Sequence, residues 1–390
     1  MAEHAGAARP EWHGEGWPEF RPGPPWVTAE MVASQPELVE PILADPAAGE
    51  IARFVLAAVD RGEPVVVTGC GTSEHGAQAI ARLIDDGLRL RGLRGGLVEA
   101  RQALEAAIDP REGGLLVALS HDGGTRATLL AAEAAKAAGA RVALVTGRAE
   151  GPIAGIADAV LVGPARDLSW CHTVAYSSAI LAGGAIGAAL GGASLDAEAL
   201  RDYLAAAVAD DGQADAVAAT LWGKRPLLAC GTGADEITSR ELALKIEEGP
   251  RLPCTARHLE TLLHGNLVAA DERTGLVLLA IDPTGGARRD ARFVLSAQAT
   301  ARLGMVPAAI LAAETDRAIP EDATPGGRFV LPPAPKCPLP ALPALLGGAA
   351  ASQRLTLALV ERAGVNPDLI RREEAPYWEA AEIAEGRADW

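Results

Sequence analysis

The sequence predicts an α/β protein built from two tandem, doubly wound parallel sheets. Apolar runs typical of buried strands are each followed by a glycine-rich turn and then by a stretch with helical spacing, which is the pattern of βαβ units. The pattern also occurs twice. Cys70-Gly71-Thr72 returns as Cys230-Gly231-Thr232, 160 residues later (230 − 70), and 116–124 resembles 277–286. Two copies of one unit predict two domains that bind ligands at the carboxyl ends of their strands.

The length and composition of the chain fit this architecture. Its 390 residues are enough for two domains of ordinary size, and a content of 49% hydrophobic but only 4% aromatic residues favours close packing of helices on sheets. We expect an N-terminal arm with a lead-in helix (1–45), a first domain (46–195), a helical connector (196–222) and a second domain that includes the C-terminal tail (223–390).

The charge and the cysteines limit the classes of partner and the compartment. A formal net charge of −16 argues against nucleic acid and anionic membranes as partners. The uncharged stretch 174–193 is rich in Gly, Ala and Ser rather than Leu and Ile, so it predicts a buried helix instead of a membrane span. Five cysteines without CxxC spacing, and an N-terminus without signal-peptide features, indicate reduced thiols in a cytoplasmic protein.

Large apolar rings are concentrated near the two ends of the chain. Five of the seven tryptophans lie there: Trp12, Trp17, Trp26, Trp378 and Trp390. Freely disordered tails seldom carry so many aromatic side chains. We therefore expect the ends to dock on the body of the protein or on a partner subunit.

One turn resembles an anion cradle and departs from it at one position. The turn Ser120–Thr125 lies between a predicted strand (115–119) and a predicted helix (127–138). Together with the helix N-terminus, such a turn presents backbone amides and hydroxyls to an anion. Asp122 puts a carboxylate where such a cradle favours a hydroxyl. This carboxylate either binds a substrate group or caps the helix that begins near Thr125.

Four segments in order carry a resemblance to a known family. Gly69–Ser73 is similar to a GxGTS turn, Ser120–Thr125 to an S-x-S-G-x-T phosphate loop, and Ala243–Glu248 to an ALKxKE helix. His264–Leu267 is similar to HGPL, and its histidine follows Glu248 by 16 residues (264 − 248), as in that family. From about residue 30 to 370 the chain resembles the two-domain sugar isomerase (SIS) family, which includes the isomerase half of glucosamine-6-phosphate synthase and related deglycases.

The resemblance implies three catalytic residues. Glu248 matches the glutamate that moves a proton between C1 and C2 of an open-chain sugar, and a carboxylate shielded from water can act as such a base. His264 matches the histidine that opens the sugar ring, a task suited to a group that titrates near neutrality. Lys245 matches a lysine that stabilises the enediolate. Taken without the resemblance, Glu248 and Glu247 could form a solvated helix face, with Lys245 as an i,i+3 salt-bridge partner.

The family resemblance also implies an assembly and a set of binding residues. In dimeric relatives the ring-opening histidine comes from the partner subunit, so a homodimer with a shared active site is expected, and no cofactor or metal is implied. The far end of a sugar substrate would be bound by Gly71, Thr72, Ser73, Ser120, His121, Asp122 and Thr125.

Two of these positions, His121 and Asp122, depart from the family pattern. A carboxylate about 4 Å from a phosphate charge costs roughly 4 kcal/mol at an effective dielectric near 20. The sequence therefore predicts a substrate without phosphate, unless a bound cation or a protonated His121 neutralises the site.

Further departures lie around the predicted pocket. Trp170 and His172 replace smaller residues of the relatives, where they could stack on a sugar or simply repack the subunit interface. No lysine follows Lys336, so the tail lysine of glucosamine-6-phosphate synthase is missing, or Arg371 or Arg372 takes its place.

These observations predict a cofactor-free aldose–ketose isomerase that acts on a sugar or modified sugar. A deglycase or deaminase that splits an amine from a ketosamine uses the same enediol or enolamine chemistry, and release of amine or ammonia would distinguish it. A non-catalytic sugar-binding SIS protein is the third hypothesis, and it predicts binding without turnover.

Overall fold

Each of the two sequence repeats folds into a five-stranded sheet. The computed structural model of the protein describes residues 16–94, 98–209 and 211–384. The strands of the first sheet are β1 (Val65–Gly69), β2 (Val98–Gln102), β3 (Leu115–Leu119), β4 (Arg141–Thr146) and β5 (Ala159–Val162). Those of the second are β6 (Leu227–Gly231), β7 (Cys254–His258), β8 (Gly275–Ala280), β9 (Pro307–Leu311) and β10 (Arg328–Val330).

The two sheets have the same topology. Their strand orders are β2-β1-β3-β4-β5 and β7-β6-β8-β9-β10, and every pair of neighbours is parallel. The order reverses between the first and third strand of each copy, which is where doubly wound sheets bind ligands. The predicted fold class is confirmed.

Helices cover these sheets and link them. The N-terminal helices are α1 (Val27–Ser34), α2 (Val39–Leu43) and α3 (Pro46–Asp60), and those of the first sheet are α4 (Thr72–Leu90), α5 (Ala103–Ile108), α6 (Arg126–Ala137) and α7 (Val174–Gly191). The connecting helices are α8 (Ala197–Val208) and α9 (Gln213–Leu221). The remaining helices are α10 (Ala234–Glu248), α11 (Leu259–Leu263), α12 (Gly286–Ala301), α13 (Ala313–Ala318), α14 (Ala341–Ala363) and α15 (Ala375–Ala384).

The uncharged stretch seen in the sequence forms the buried helix α7. α7 packs along α4, and glycines on both helices allow the backbones to touch: a Cβ at Gly87 would overlap the carbonyl oxygen of Gly187. α7 is long and apolar enough to cross a membrane, but most of it is buried inside the protein. α4 and α7 also contact α10 and α14, so the two sheet domains share one helical core.

The structural repeat differs in register from the match of sequence letters. Gly69 and Gly231 end equivalent strands, and in each case a Cβ would overlap the carbonyl oxygen four residues later. They are 162 residues apart (231 − 69), so Cys70-Gly71-Thr72 and Cys230-Gly231-Thr232 are alike in letters but not in position. The third strands keep a step of 160, because Val65 pairs with Leu115 and Leu227 pairs with Gly275. By this step, Asp122 is the counterpart of Asp282.

The two ends of the chain meet over the first domain. The buried carboxylate of Asp368 accepts hydrogen bonds from the amides of Val27 and Thr28, at 3.0 and 2.8 Å. The Trp17 ring lies 4.7 Å from that of Trp170 and 4.9 Å from that of Trp378. Docking of the ends is thus confirmed for Trp17, Trp26 and Trp378, whereas Trp12 and Trp390 lie outside the described residues.

Candidate active site

A cleft of about 690 Å³ opens at the carboxyl ends of β1 and β3, where the strand order reverses. Residues 16–19 and 21 of the arm and residues 370 and 372 of the tail form part of its wall. The structure brings nine of the thirteen predicted site residues together in its lining: Gly71, Thr72, Ser73, His121, Asp122, Thr125, Trp170, His172 and Glu248.

The other four predicted residues lie elsewhere. Ser120 is buried beneath the turn, where its hydroxyl is 3.0 Å from that of Thr125. Lys245 is buried behind Glu248. Arg371 turns away from the cleft and lies 4.0 Å over the ring of Tyr377, while the next residue, Arg372, lines the cleft.

His264 is the fourth, and it lies on the surface of the protomer. Its side chain is 71% exposed, and its Nε2 lies 2.8 Å from a carboxylate oxygen of Glu260. His264 therefore does not line the cleft of its own chain.

Glu248 and Lys245 form an ion pair at the inner end of the cleft. Both lie in the last turn of α10, three residues apart, so their side chains share one helix face. Lys245 Nζ donates to Glu248 Oε2; the lysine side chain is 1% exposed, whereas that of Glu248 is 22% exposed and faces the cleft. Burial raises the pKa of Glu248, and Lys245 opposes this rise. A carboxylate with a raised pKa is suited to accept and return a proton near neutral pH.

A second carboxylate, Glu241, supports this pair, and sequence reasoning missed it. Its Oε1 lies 3.7 Å from Lys245 Nζ. Its carboxylate accepts hydrogen bonds from His75 Nδ1 at 2.7 Å and from Thr72 Oγ1 at 3.3 Å. Burial raises the pKa of Glu241, but Lys245 and His75 outweigh it and lower the pKa overall. The spacing held a signal, because positions 241, 245 and 248 lie on one helix face.

The buried lysine is kept positively charged by its two carboxylates. Burial lowers the pKa of Lys245, but Glu248 and Glu241 more than reverse this effect and raise it overall. The inner end of the cleft therefore holds a fixed cation directly behind an accessible carboxylate.

Asp122 shapes the turn and does not cap the helix. α6 begins at Arg126, and Thr125 holds the N-cap position. Asp122 Oδ1 instead accepts a hydrogen bond from the Gly124 amide at 3.0 Å, as Oδ1 of its counterpart Asp282 does from the Thr284 amide at 2.9 Å. The helix-cap alternative is therefore wrong. Within the described part of the chain, Oδ2 of Asp122 has no hydrogen-bond partner, and the exposed side chain lines the cleft.

The second domain contains a filled version of the same cradle. Asp235 accepts hydrogen bonds from the amides of Ile281 and Asp282, at 3.0 and 2.9 Å, and its other oxygen binds Arg289 at 3.0 Å. The counterparts of the two amides are those of His121 and Asp122. These first-domain amides make no hydrogen bond with the described residues, so they can receive an oxygen atom of a ligand.

Two neighbouring histidines line the cleft beside the cradle. The rings of His121 and His172 are 4.6 Å apart. Burial lowers the pKa of both, that of His172 to about 4, although Asp167 opposes the shift. The lowered pKa values favour the neutral form of both rings, and Arg166 brings a guanidinium into the same lining.

The outer part of the cleft is aromatic. Trp17 and Trp170 line it, and the guanidinium carbon of Arg372 lies 4.7 Å above the Trp170 ring. Two acidic residues of this wall, Glu19 and Glu30, are paired with Arg21. Among residues 16–94, 98–209 and 211–384, no group of three or more His, Cys, Asp or Glu side chains is placed to hold a metal ion.

Comparisons with known proteins agree with this architecture. Residues 61–190 match the family model of the SIS domain. The C-terminal domain of glucosamine-fructose-6-phosphate aminotransferase from Francisella tularensis is similar at a TM-score of 0.73 and 16% identity, over 90% of this chain and 99% of that one. Tagatose-6-phosphate ketose/aldose isomerase from Escherichia coli is similar at a TM-score of 0.70 and 18% identity, over 88% of this chain and 95% of that one. Glucosamine-6-phosphate deaminase from Thermotoga maritima is similar at a TM-score of 0.64 and 19% identity, over 88% of this chain and 96% of that one. Comparison with curated proteins gave no significant match.

Proposed function

We propose that this SIS-domain protein, which has the fold of the two-domain sugar isomerases, transfers a proton between C1 and C2 of an open-chain sugar or modified sugar. The observation that carries the proposal is the pair at the inner end of the cleft, an accessible Glu248 held by a buried, charged Lys245. Glu248 removes the proton from one carbon and returns it to the other. Lys245 stabilises the negative charge of the enediolate between these two steps.

The cradle supports a substrate whose far end carries hydroxyl groups rather than phosphate. A hydroxyl can accept from the free amides of His121 and Asp122 and donate to Asp122 Oδ2 at the same time. A phosphate can only accept, and at about 4 Å from the Asp122 charge it loses roughly 4 kcal/mol at a dielectric near 20. In the second domain the bound carboxylate is balanced by Arg289, but the counterpart of that arginine in the first domain is Leu129.

His264 fits the proposal as a residue that a second copy supplies. It lies in an exposed loop with Val268. The side chain of Val268 is almost fully exposed, so within one chain this valine is not packed against the protein. Docking of the loop against a second copy would cover Val268 and bring an imidazole to the other cleft. There it would move the proton between the ring oxygen and the hydroxyl on ring opening.

Exchange of hydrogen with deuterated water tests the proposed chemistry. The protein is incubated in D₂O with free aldoses, ketoses and amino sugars, and deuterium at C1 and C2 is measured by NMR. We expect exchange with the wild type and none with Glu248→Gln. Glu247→Gln is the matched control, because Glu247 is the exposed neighbour on the same helix and should keep full exchange. Sugar binding without exchange would instead indicate a sugar-binding protein.

A second candidate activity, cleavage of a ketosamine into sugar and amine, is favoured by the size of the cleft. Pockets of about 300–1,000 Å³ take drug-sized ligands, and the 690 Å³ of this cleft exceeds what one open-chain hexose needs. Beyond Glu248 the cleft continues to the rings of Trp17 and Trp170, which offer an apolar surface to a substituent on the amine. Release of amine or ammonia from a ketosamine, lost in Glu248→Gln, is the expected result for this candidate.

A further inference from the structure

A second cavity, of about 430 Å³, lies in the second domain at the carboxyl ends of β8, β9 and β10. It shares no lining residue with the active-site cleft. The carboxyl ends of parallel strands are where open α/β sheets bind ligands. The cavity therefore lies on the carboxyl edge of the second sheet, to one side of the point where the strand order reverses, and the proposed reaction does not use it.

The walls of the cavity are rigid and mostly apolar. Five prolines from three segments line it, together with Ile281 and three alanines: Pro283, Pro332, Pro335, Pro340 and Pro343. Because the proline ring fixes φ, such walls lose little freedom when a ligand binds. A preformed apolar cavity with few polar groups is typical of sites for small molecules.

A tyrosine hydroxyl within this cavity lacks a partner. Tyr203 is only 6% exposed and lines the cavity, yet no hydrogen bond among the described residues reaches its hydroxyl. The hydroxyl lies against Gly347, where a Cβ would overlap it, so the glycine makes room for it. Burial raises the pKa of Tyr203, which keeps the phenol protonated and able to donate. The hydroxyl atom itself is not fully buried, so it can donate to an acceptor of a ligand in the cavity.

Two opposite charges at the cavity also lack partners. Lys336 and Glu314 are exposed residues that line it, and in the described part of the chain neither forms an ion pair or a side-chain hydrogen bond. The other charged lining residues, Arg289 and Asp290, are 2.8 Å apart and pair with each other. The cavity thus offers one cation, one anion and one phenol to a ligand.

We infer that this cavity binds a small zwitterion with an apolar body, the chemistry of an aromatic or aliphatic α-amino acid. The ligand carboxylate pairs with Lys336 and its ammonium group with Glu314. The apolar side chain packs on the proline walls, and the Tyr203 hydroxyl donates to a ligand oxygen. The site is separate from the active-site cleft and does not depend on the reaction proposed there.

Calorimetry with L-phenylalanine and two matched analogues tests the class of ligand. 3-Phenylpropanoate lacks the ammonium group and phenethylamine lacks the carboxylate. We expect saturable binding of L-phenylalanine to the full chain and at least tenfold weaker binding of either analogue. Absence of binding, or equal binding of all three, would overturn the inference.

Two cysteines report where the probe binds in the unmodified protein. Cys337 lines this cavity and Cys70 lines the active-site cleft; both are half-buried, whereas Cys171, Cys230 and Cys254 are buried. L-Phenylalanine should slow alkylation of Cys337 by N-ethylmaleimide and leave that of Cys70 unchanged. Protection of Cys70 instead would place the probe in the cleft and contradict the inference.

Two variants with matched controls test the polar contacts. Tyr203→Phe should weaken binding of L-phenylalanine about tenfold. Tyr176→Phe should leave it unchanged, because Tyr176 lies on α7 and does not line the cavity. Lys336→Gln should weaken binding several-fold, and Lys224→Gln, on the same domain, should not. If all four variants bind L-phenylalanine like the wild type, the assigned contacts are refuted.

Discussion

Replacement of Glu241 by glutamine separates the structural from the chemical role of the charges behind the cleft. Glu241 Oε1 lies 3.7 Å from Lys245 Nζ, and both side chains are 1% exposed. At an effective dielectric near 20, two unit charges at this separation attract each other by about 4 kcal/mol. Glutamine keeps the volume and can still accept from Thr72 and His75, and Lys245 keeps Glu248 as a partner. We therefore expect Glu241→Gln to lower the free energy of unfolding by about 3 kcal/mol.

The same substitution changes the proposed base in a definite direction. The negative charge of Glu241 contributes to the raised pKa of Glu248. Without that charge, Lys245 interacts with Glu248 alone, and the pKa of Glu248 falls. A base is active above its pKa, so the acid limb of the pH–rate profile should move to lower pH.

Two measurements on one variant decide whether this reasoning holds. Urea unfolding gives the change in stability, and deuterium exchange as a function of pH gives the position of the acid limb. Glu247→Gln is the control for both, because this neighbouring carboxylate is exposed. A stability loss below about 1 kcal/mol would refute the assigned coupling between Glu241 and Lys245. An acid limb that stays in place or moves to higher pH would refute the link to Glu248.

Three other predictions follow from the cleft. Burial lowers the pKa of His172 from 6.5 to about 4, so between these pH values the unfolded state binds more protons than the folded state. The free energy of unfolding should therefore fall by about 3 kcal/mol as the pH falls through this window. His172→Gln should remove that part of the pH dependence in urea unfolding. Asp122→Ser should improve binding of a hexose 6-phosphate by two to three decades, as judged by thermal shift, whereas unchanged binding would show that Asp122 does not exclude phosphate. Mixing inactive His264→Asn and Glu248→Gln proteins should restore deuterium exchange, and failure to do so after subunit exchange would contradict a shared site.

The sheets were predictable because the information for them is local. Each apolar run with its glycine turn and helix forms one βαβ unit, and spacing along α10 placed Lys245 and Glu248 on one face. The closure of the cleft was not predictable in this way. Asp368 accepts hydrogen bonds from Val27 and Thr28, more than 300 residues away in the sequence. Neither segment contains a motif that predicts contact with the other. Docking of the ends was expected from their tryptophans, but not the place where they dock.

The burial of charges was also beyond the sequence. Glu241 looks like an ordinary helix residue until α4 brings Thr72 and His75 against it. The sequence repeat also gave a wrong register. The identical residues Cys70-Gly71-Thr72 and Cys230-Gly231-Thr232 are 160 residues apart, whereas the equivalent strand ends Gly69 and Gly231 are 162 apart. In both cases contacts between distant segments determine the role of a residue, and such contacts are difficult to predict from a single sequence.

The two copies of the cradle show how one fold can divide its work. In the second copy the amides are occupied by Asp235, and Arg289 balances its charge, so the turn is filled from within. In the first copy a serine, Ser73, stands where Asp235 stands, and Leu129 stands where Arg289 stands. The same amides are thus open, and Leu129 supplies no charge there, although Arg166 lines the same cleft and interacts electrostatically with His121. An uncharged group that both donates and accepts would suit the free amides and the Asp122 carboxylate together, and this is the reason for the proposed preference for a sugar hydroxyl.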